Sequence, residues 1–278
     1  MQYCKNESVI INNPFLYSNC VACDSQYVFK LRDVGCGRTK KNIPLLCCLL
    51  CNTLSCIGDY KEDESQLKAD IEYNINNLSN EKDDMYNKFI KDLGITINKH
   101  SNKNITDFLV GEVGCNIGTL VNVLNNLGIK TIGYDINKCA IDYGLSYYNN
   151  IDIRNKLFGS DKDLLFDFVI SNDTFEHISN PRNVLSDIIK NIKQNGYIYI
   201  TVPIVDKTQW SFLKDDTEKM KTFDISSPFR DNDVHIVHFS IKGLELFGTT
   251  MGLKIVSNFI NINNIYENWP LNGILFQK

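Results

Sequence analysis

No apolar run in this sequence is long enough to cross a membrane. The longest, Ile43 to Cys51, is about half of the roughly 20 residues a spanning helix needs, and cysteines interrupt it. Positive charge is not in excess either. The 29 Lys and Arg stand against 33 Asp and Glu, a formal net charge of −4. A dedicated nucleic-acid binder carries a basic stripe, so this balance argues against nucleic acid as a partner. The start, MQYCKNESVI, lacks a basic region followed by an apolar core and is not read as a secretory signal. Asn104-Ile105-Thr106 is then a chance match to a glycosylation sequon, and the cytoplasm is the expected location. Internal repeats and a disordered tail are also missing.

What remains is ordinary globular composition, 43% hydrophobic and 22% charged, enough for one large core plus an appendage. Cysteine marks the appendage. Of the 10 cysteines, Cys4, Cys20, Cys23, Cys36, Cys47, Cys48, Cys51 and Cys56 fall at the start of the chain, while Cys115 and Cys139 lie far downstream. Cys20-x-x-Cys23 and Cys48-x-x-Cys51 form two C-x-x-C pairs. Each pair suits one knuckle, and two knuckles supply the four thiolates of a structural Zn²⁺ site. A reducing compartment and a module too short for a core of its own favour a metal staple over buried thiols. Cys47 beside Cys48 leaves one ligand ambiguous, with Cys36 and Cys56 as substitutes.

Lys61 to Lys99 is polar, with Leu67, Ile71, Ile75 and Leu78 at helical spacing, which predicts one or two connecting helices covering one edge of the main domain. From about Asp107, strand and helix signals alternate. Strands are predicted at Phe108–Val113, Lys130–Tyr134, Ile151–Ile153, Phe166–Ser171, Tyr197–Val202, Leu253–Ile260 and Ile274–Gln277. Helices are predicted at Thr119–Leu127, Asn137–Tyr148, a segment capped by Asn180 with Pro181 in its first turn and ended by Gly196, and Ile241–Met251. The two closing strands have no helix between them and must be antiparallel neighbours. The expected fold is α/β, a doubly wound, mostly parallel seven-stranded sheet with a small N-terminal zinc-binding module. The expected divisions are 1–60 (cysteine module), 61–104 (helical linker) and 105–278 (sheet domain).

Between the first strand and its helix lies Glu112-Val113-Gly114-Cys115-Asn116-Ile117-Gly118. Glycine belongs there because the backbone turns tightly and approaches a ligand with no Cβ in the way. Asp135, 23 residues after Glu112, ends the second strand at the spacing where an acid meets ribose hydroxyls, with Ile136 next to it. The G-x-G-x-x-G of dinucleotide enzymes is absent. Glu112 would repel a pyrophosphate but suits the ammonium of a methionine moiety.

On these residues the chain resembles class I S-adenosylmethionine-dependent methyltransferases over residues 107 to 278. Glu112-x-Gly114-Cys115-x-x-Gly118 is similar to the family's first motif and Asp135 to its second-strand acid. Phe166 through Asp173, including Ser171 and Asn172, resembles the fourth-strand motif that reaches the methyl donor. Glu176-His177 before Asn180-Pro181 resembles an "E-H-x-x-x-P" segment. Asn116 and Ile117 depart from the usual Gly and small polar residue, and Asn116 tolerates the unusual backbone angles required. The resemblance implies S-adenosyl-L-methionine as cofactor, held by Glu112, Gly114, Cys115, Asn116, Gly118, Asp135, Ile136, Ser171 and Asn172.

The cysteine module and His235-Ile236-Val237-His238-Phe239-Ser240 resemble the zinc domain and "H-x-x-H-x-S" region of nucleotide-sugar C-methyltransferases. Those enzymes carry a further C-terminal domain, and none is expected here, which tells against carbon as the methyl acceptor. A sugar-like or other small polar acceptor is the inference.

Methyl transfer to a hydroxyl or carbon acid needs a base, and there are 4 histidines. His100 reads as a solvated linker residue. His177 follows the carboxyl end of the fourth strand and is the first candidate; bracing the next helix is its bland alternative. Of His235 and His238, one is a candidate base or acceptor contact and the other packs a loop. Asp173, Glu176 and His177 with a later histidine form an alternative divalent-cation set, resembling small-RNA 3′-terminal 2′-O-methyltransferases and quinone-pathway O-methyltransferases. Trp210, Phe212, Phe223, Phe229 and Arg230 are candidates for an acceptor pocket or lid.

Overall fold

The computed structural model describes residues 19–35, 42–56, 68, 71–72, 74–76, 78, 80–161, 163–205, 235–260 and 272–278. The aromatic segment from Trp210 to Arg230, together with Cys4, Cys36 and Leu67, lies outside them. Seven strands form the main sheet: β4 (Val110–Val113), β5 (Thr131–Asp135), β6 (Asp152–Asn155), β7 (Phe166–Asn172), β8 (Ile192–Thr201), β10 (Lys254–Asn258) and β11 (Gly273–Gln277). Their spatial order is β10-β11-β8-β7-β4-β5-β6. The pairs among β4 to β8 are parallel, and β11 runs antiparallel to both neighbours, as the missing crossover helix required. The chain leaves β4 towards β6 and returns to β7 on the other side. β4 and β7 therefore flank a topological switch point, where open α/β sheets bind ligands.

Alternation along the strands sorts the core into two layers. In β8, Tyr197 and Tyr199 face one side, with Phe168 and Ile170 of β7. Ile198 and Ile200 face the other. The first layer is covered by α1 (Asn80–Ser101) and α2 (Thr119–Asn126). Tyr86, Phe89, Ile90, Leu93 and Ile97 fall at helical spacing on one face of α1, and all are buried. That face packs on the sheet itself rather than on an edge: Phe89 meets Tyr199 at a ring separation of 5.2 Å. The helix α3 (Lys138–Tyr147) follows β5, and the Asn137 side chain accepts the Ala140 N–H at 3.2 Å as its cap.

The second layer is covered by α4 (Pro181–Asn191) and α5 (Ile241–Thr249) and by the cysteine module. The module is an antiparallel sheet of β1 (Val28–Gly35), β2 (Asn42–Cys48) and β3 (Leu54–Cys56). Its fourth strand comes from far downstream, β9 (Val237–His238). Cys20, Cys23, Cys48 and Cys51 share one core with Ile198, Phe247 and Phe276.

Two helix-boundary expectations are corrected. Asn180 occupies the N-cap position of α4 without a side-chain cap bond, and Pro181 opens the helix. Gly196 does not end α4; the helix stops at Asn191 and Gly196 lies within β8, where its carbonyl accepts the Lys278 N–H at 3.0 Å. β4 also begins later than predicted, at Val110 rather than Phe108, because the Phe108 N–H is taken by the Ile105 carbonyl as the cap of the preceding 3₁₀ turn (Ile105–Asp107).

Candidate active site

Glu112 lies buried in β4, flanked in parallel register by Gly133 of β5 and Ile170 of β7. The chain then turns on residues with positive φ: Gly114 (+74°), Asn116 (+48°) and Gly118 (+83°). Asn116 manages the left-handed conformation because its Oδ1 accepts the Ile117 N–H at 2.8 Å. The amides of Gly114 and Cys115 donate to the Tyr134 carbonyl at 2.9 and 3.1 Å, binding the loop to the neighbouring strand. Asp135 completes the attachment. Its Oδ2 accepts the Asn116 N–H at 2.8 Å and its Oδ1 the Asn137 N–H at 2.7 Å. Ile136 beside it is 54% exposed, an apolar surface at the sheet's carboxyl edge.

Across the switch point, Thr174 Oγ1 donates towards the carbonyls of Val113 (3.2 Å) and Asn172 (3.1 Å), joining the ends of β4 and β7. Gly114 packs on this hydroxyl so closely that a Cβ there would collide with Thr174 Oγ1. Ser171 Oγ and Asn172 Oδ1 are buried at the end of β7 with no hydrogen-bond partner among the described residues. Asp173, at φ +47°, accepts the Thr201 hydroxyl at 3.3 Å.

Carboxylates perturb two buried groups beside this turn. Burial raises the Tyr86 phenol well above its ordinary value, and Glu112 and Asp173 add to the rise. Burial likewise raises the Cys115 thiol, with Glu112 and Asp135 contributing. Three carboxylates therefore act on these two buried groups, Tyr86 from the core beneath α1 and Cys115 from the cluster of Val121, Ile141 and Ile153.

Past Thr174, a 3₁₀ turn (Phe175–His177) carries Glu176, fully buried, and His177, half-buried. The Ile236 N–H donates to the Glu176 carbonyl at 2.9 Å and draws the distant histidine segment in. The His177 and His235 rings then lie 4.8 Å apart, and His235 and His238 6.1 Å apart. Ligand atoms of Glu176, His177 and His235 fall within 4.8 Å of one another. His238 is different: it is 3% exposed, and burial, with His235 beside it, holds its imidazole down to about 3. Asp173 stands outside this triad, and His235 takes the place a later histidine was expected to fill. His100 is exposed near the end of α1.

The cysteines Cys20, Cys23, Cys48 and Cys51 come together in the module, all buried, their sulfurs within 4.8 Å of one another. Cys20 to Cys51 and Cys23 to Cys48 are each 3.6 Å, far beyond a disulfide bond. Hydrogen bonds from Cys20 and then Cys51 hold the Cys48 thiol well below its ordinary value. Cys47 points the other way, into a small cluster with Val34, Leu45 and Leu54. Cys56 is half-buried beside that cluster and outside the group of four.

Sequence reasoning missed three participants. Thr174 acts through contacts across parallel strands, which leave no local signal. Tyr86 lies on a helix whose periodicity announces burial but not what it is buried against. The pairing of Val237–His238 with the cysteine module spans most of the chain.

Strand order, glycine turn and switch-point cleft together define a Rossmann-like methyltransferase fold, that of class I S-adenosylmethionine-dependent enzymes. Residues 99–258 match the family described as methyltransferase domain, and the chain belongs to this family. The mitochondrial ubiquinone biosynthesis O-methyltransferase of Dictyostelium discoideum is 29% identical over 119 residues, 37% of this chain and 36% of that one. The ubiquinone biosynthesis O-methyltransferase of Rickettsia akari is 24% identical over 170 residues, 53% of this chain and 66% of that one. The chain thus spans about a third to two thirds of the length of these curated relatives. Among solved structures, the plantazolicin methyltransferase BpumL in complex with SAH superposes with a TM-score of 0.51 at 13% identity, over 78% of this chain and 90% of that one. That likeness speaks to the fold alone.

Proposed function

We propose that the chain transfers the methyl group of S-adenosylmethionine to a hydroxyl of a small polar acceptor. The carrying observation is the loop that Asp135 ties down beside buried Glu112, opposite Ser171 Oγ and Asn172 Oδ1, which have no hydrogen-bond partner among the described residues. A cleft faced by Glu112, Asp135 and Asp173 suits a ligand bearing an ammonium and a sulfonium, and suits a pyrophosphate badly. Glu112 and Asp173 would face the methionine end, and Asp135 the ribose. Ile136 would lie against the base, while Gly114, Cys115, Asn116 and Gly118 leave the room a side chain would fill. S-adenosylmethionine supplies an electrophilic methyl group on sulfur.

The acceptor's proton falls to His177 in this reading, because it is half-buried beside Glu176 and follows the carboxyl end of β7. His238 is a poorer base, since its burial opposes charge. Oxygen is favoured as the acceptor atom because the curated relatives are named as O-methyltransferases. A sugar-like hydroxyl compound and a quinone precursor remain the two acceptor classes, both compatible with the absence, among the described residues, of a helix able to cross a membrane.

A structural Zn²⁺ in the four-cysteine centre is part of the proposal. Four sulfurs 2.3 Å from one ion at tetrahedral angles stand about 3.8 Å apart, and the two measured separations are 3.6 Å. A second reading, metal-assisted transfer, is favoured by one observation, the convergence of Glu176, His177 and His235. Titration calorimetry with S-adenosylmethionine tests the first reading: saturable binding is expected, weakened by Asp135→Ala. Absence of heat in the folded wild-type protein would refute it. Turnover abolished by a chelator that leaves the thiolate-bound zinc, and restored by magnesium, would select the second reading.

A further inference from the structure

The four-cysteine centre grips both segments that carry the histidine face. On one side, Arg182 in the first turn of α4, five residues after His177, donates from Nη1 to the Ala22 carbonyl at 2.8 Å, inside the first knuckle. The same nitrogen bonds Thr250 Oγ1 at 2.9 Å, so knuckle, α4 and the end of α5 meet at one guanidinium. On the other side, Ser240 Oγ donates to the Cys51 carbonyl in the second knuckle and accepts the Gly243 N–H that caps α5. Between these anchors, backbone hydrogen bonds link the module to the 3₁₀ turn. Leu54 pairs with His238 and Ser55 with Val237; the Cys56 N–H donates to the Ile236 carbonyl at 2.8 Å, and the Ile236 N–H to the Glu176 carbonyl at 2.9 Å.

From these contacts we infer that the cysteine centre is a positioning device for the acceptor side, with Arg182 and Ser240 as its two links. The physical ground is that β9 has two residues and β3 three, too few to hold register by themselves. Hydrogen bonds at each end of the segment and a cross-linked pair of knuckles behind it supply what the short ladder lacks. The cofactor loop, by contrast, is tied to β5 and β7 and makes none of these contacts. The centre therefore governs the His177–His235 separation and leaves the cofactor side alone. This assignment rests on the histidine face being the acceptor side, yet its test needs neither cofactor turnover nor acceptor, so the two ideas fail separately.

With 4 histidines in the chain, selective ¹⁵N-histidine labelling gives a sparse spectrum in which exposed His100 serves as the internal reference. Zinc is stripped from the full chain with an organomercurial, and its loss is measured by metal analysis. Resonances of His177, His235 and His238 are expected to shift while His100 holds, and affinity for S-adenosylmethionine should change less than about threefold. Unmoved site histidines after verified zinc loss would overturn the inference. If the stripped protein unfolds, Arg182→Gln and Ser240→Ala decide, because both keep all four thiolates. Each is expected to retain zinc, to shift the three site histidines and to leave His100 in place. A wild-type spectrum in both variants would sink the idea.

Discussion

Asp135 accepts the Asn116 N–H through one carboxylate oxygen and the Asn137 N–H through the other, at 2.8 and 2.7 Å. The residue read as a ribose clamp therefore also shapes the loop and the entry to α3. Hydrogen bonds to a charged acceptor contribute about 1.5–3 kcal/mol each. Asp135→Ala is accordingly expected to weaken S-adenosylmethionine at least about tenfold and to lower the melting temperature. Asp135→Asn keeps one acceptor oxygen and should fall between. Calorimetry and thermal melts of the pair decide this; an unaltered melting temperature in the alanine variant would remove the loop-shaping role.

Two glycines with similar φ separate backbone strain from crowding. At Gly114 (+74°) a Cβ would collide with the Thr174 hydroxyl, whereas at Gly128 (+79°) it would meet nothing within 4 Å among the described residues. Alanine at either position meets a left-handed cost of about 1–2 kcal/mol. Only Gly114→Ala must also displace Thr174 and so disturb the joint between β4 and β7. Both variants are expected to melt lower, with cofactor affinity lost only in Gly114→Ala. Equal binding by the two would show the cleft tolerates the added atom.

Adjacent cysteines on β2 point to opposite sides, so they should respond differently to the same change. Cys48→Ser is expected to lose the metal, while Cys47→Ser should keep about one zinc per chain. Cys47→Ser still costs about 1–3 kcal/mol, because its hydroxyl enters an apolar cluster. Metal analysis of the purified variants reads the difference directly; zinc retained by Cys48→Ser would count against the four-thiolate set.

Acid should destabilise the fold through His238. An ordinary histidine titrates near 6.5, but burial, with His235 beside it, holds this imidazole down to about 3. As pH falls through 6.5 the unfolded chain takes up a proton that the folded chain refuses until about 3. The contribution is therefore full above 6.5 and declines between 6.5 and 3, by roughly 1.4 kcal/mol per pH unit. Urea midpoints at pH 7.5, 6.5 and 5.5 should fall less steeply in His238→Gln than in the wild type. Parallel pH profiles would remove His238 as the source.

Much of the scaffold was legible along the chain because its signals are local. Alternation between residues of period two and period 3.6 located the parallel strands and their helices, and a strand pair without a crossover helix had to be antiparallel. Boundaries failed where context overrode propensity. Gly196, an apt helix terminator by type, sits inside β8 because its neighbours Tyr197 to Ile200 are claimed by β7 and β11 on either side. Along the cysteine module, spacing predicted two knuckles but could not choose between Cys47 and Cys48, since the choice depends on which face of β2 meets the core.

The sequence by itself determined the switch-point cleft's composition: Glu112, the positive-φ turn through Gly118, and Asp135 all lie within one strand–loop–helix–strand unit, where spacing along the chain is spacing in the fold. Tertiary structure alone decided which distant residues gather around it. Tyr86 arrives on a helix preceding the sheet, and Thr174 reaches across parallel strands. His235 is brought to Glu176 and His177 by a two-residue strand borrowed into the cysteine sheet. Those contacts join segments far apart in sequence, and they follow from burying two faces of one sheet, which no local pattern of residues encodes.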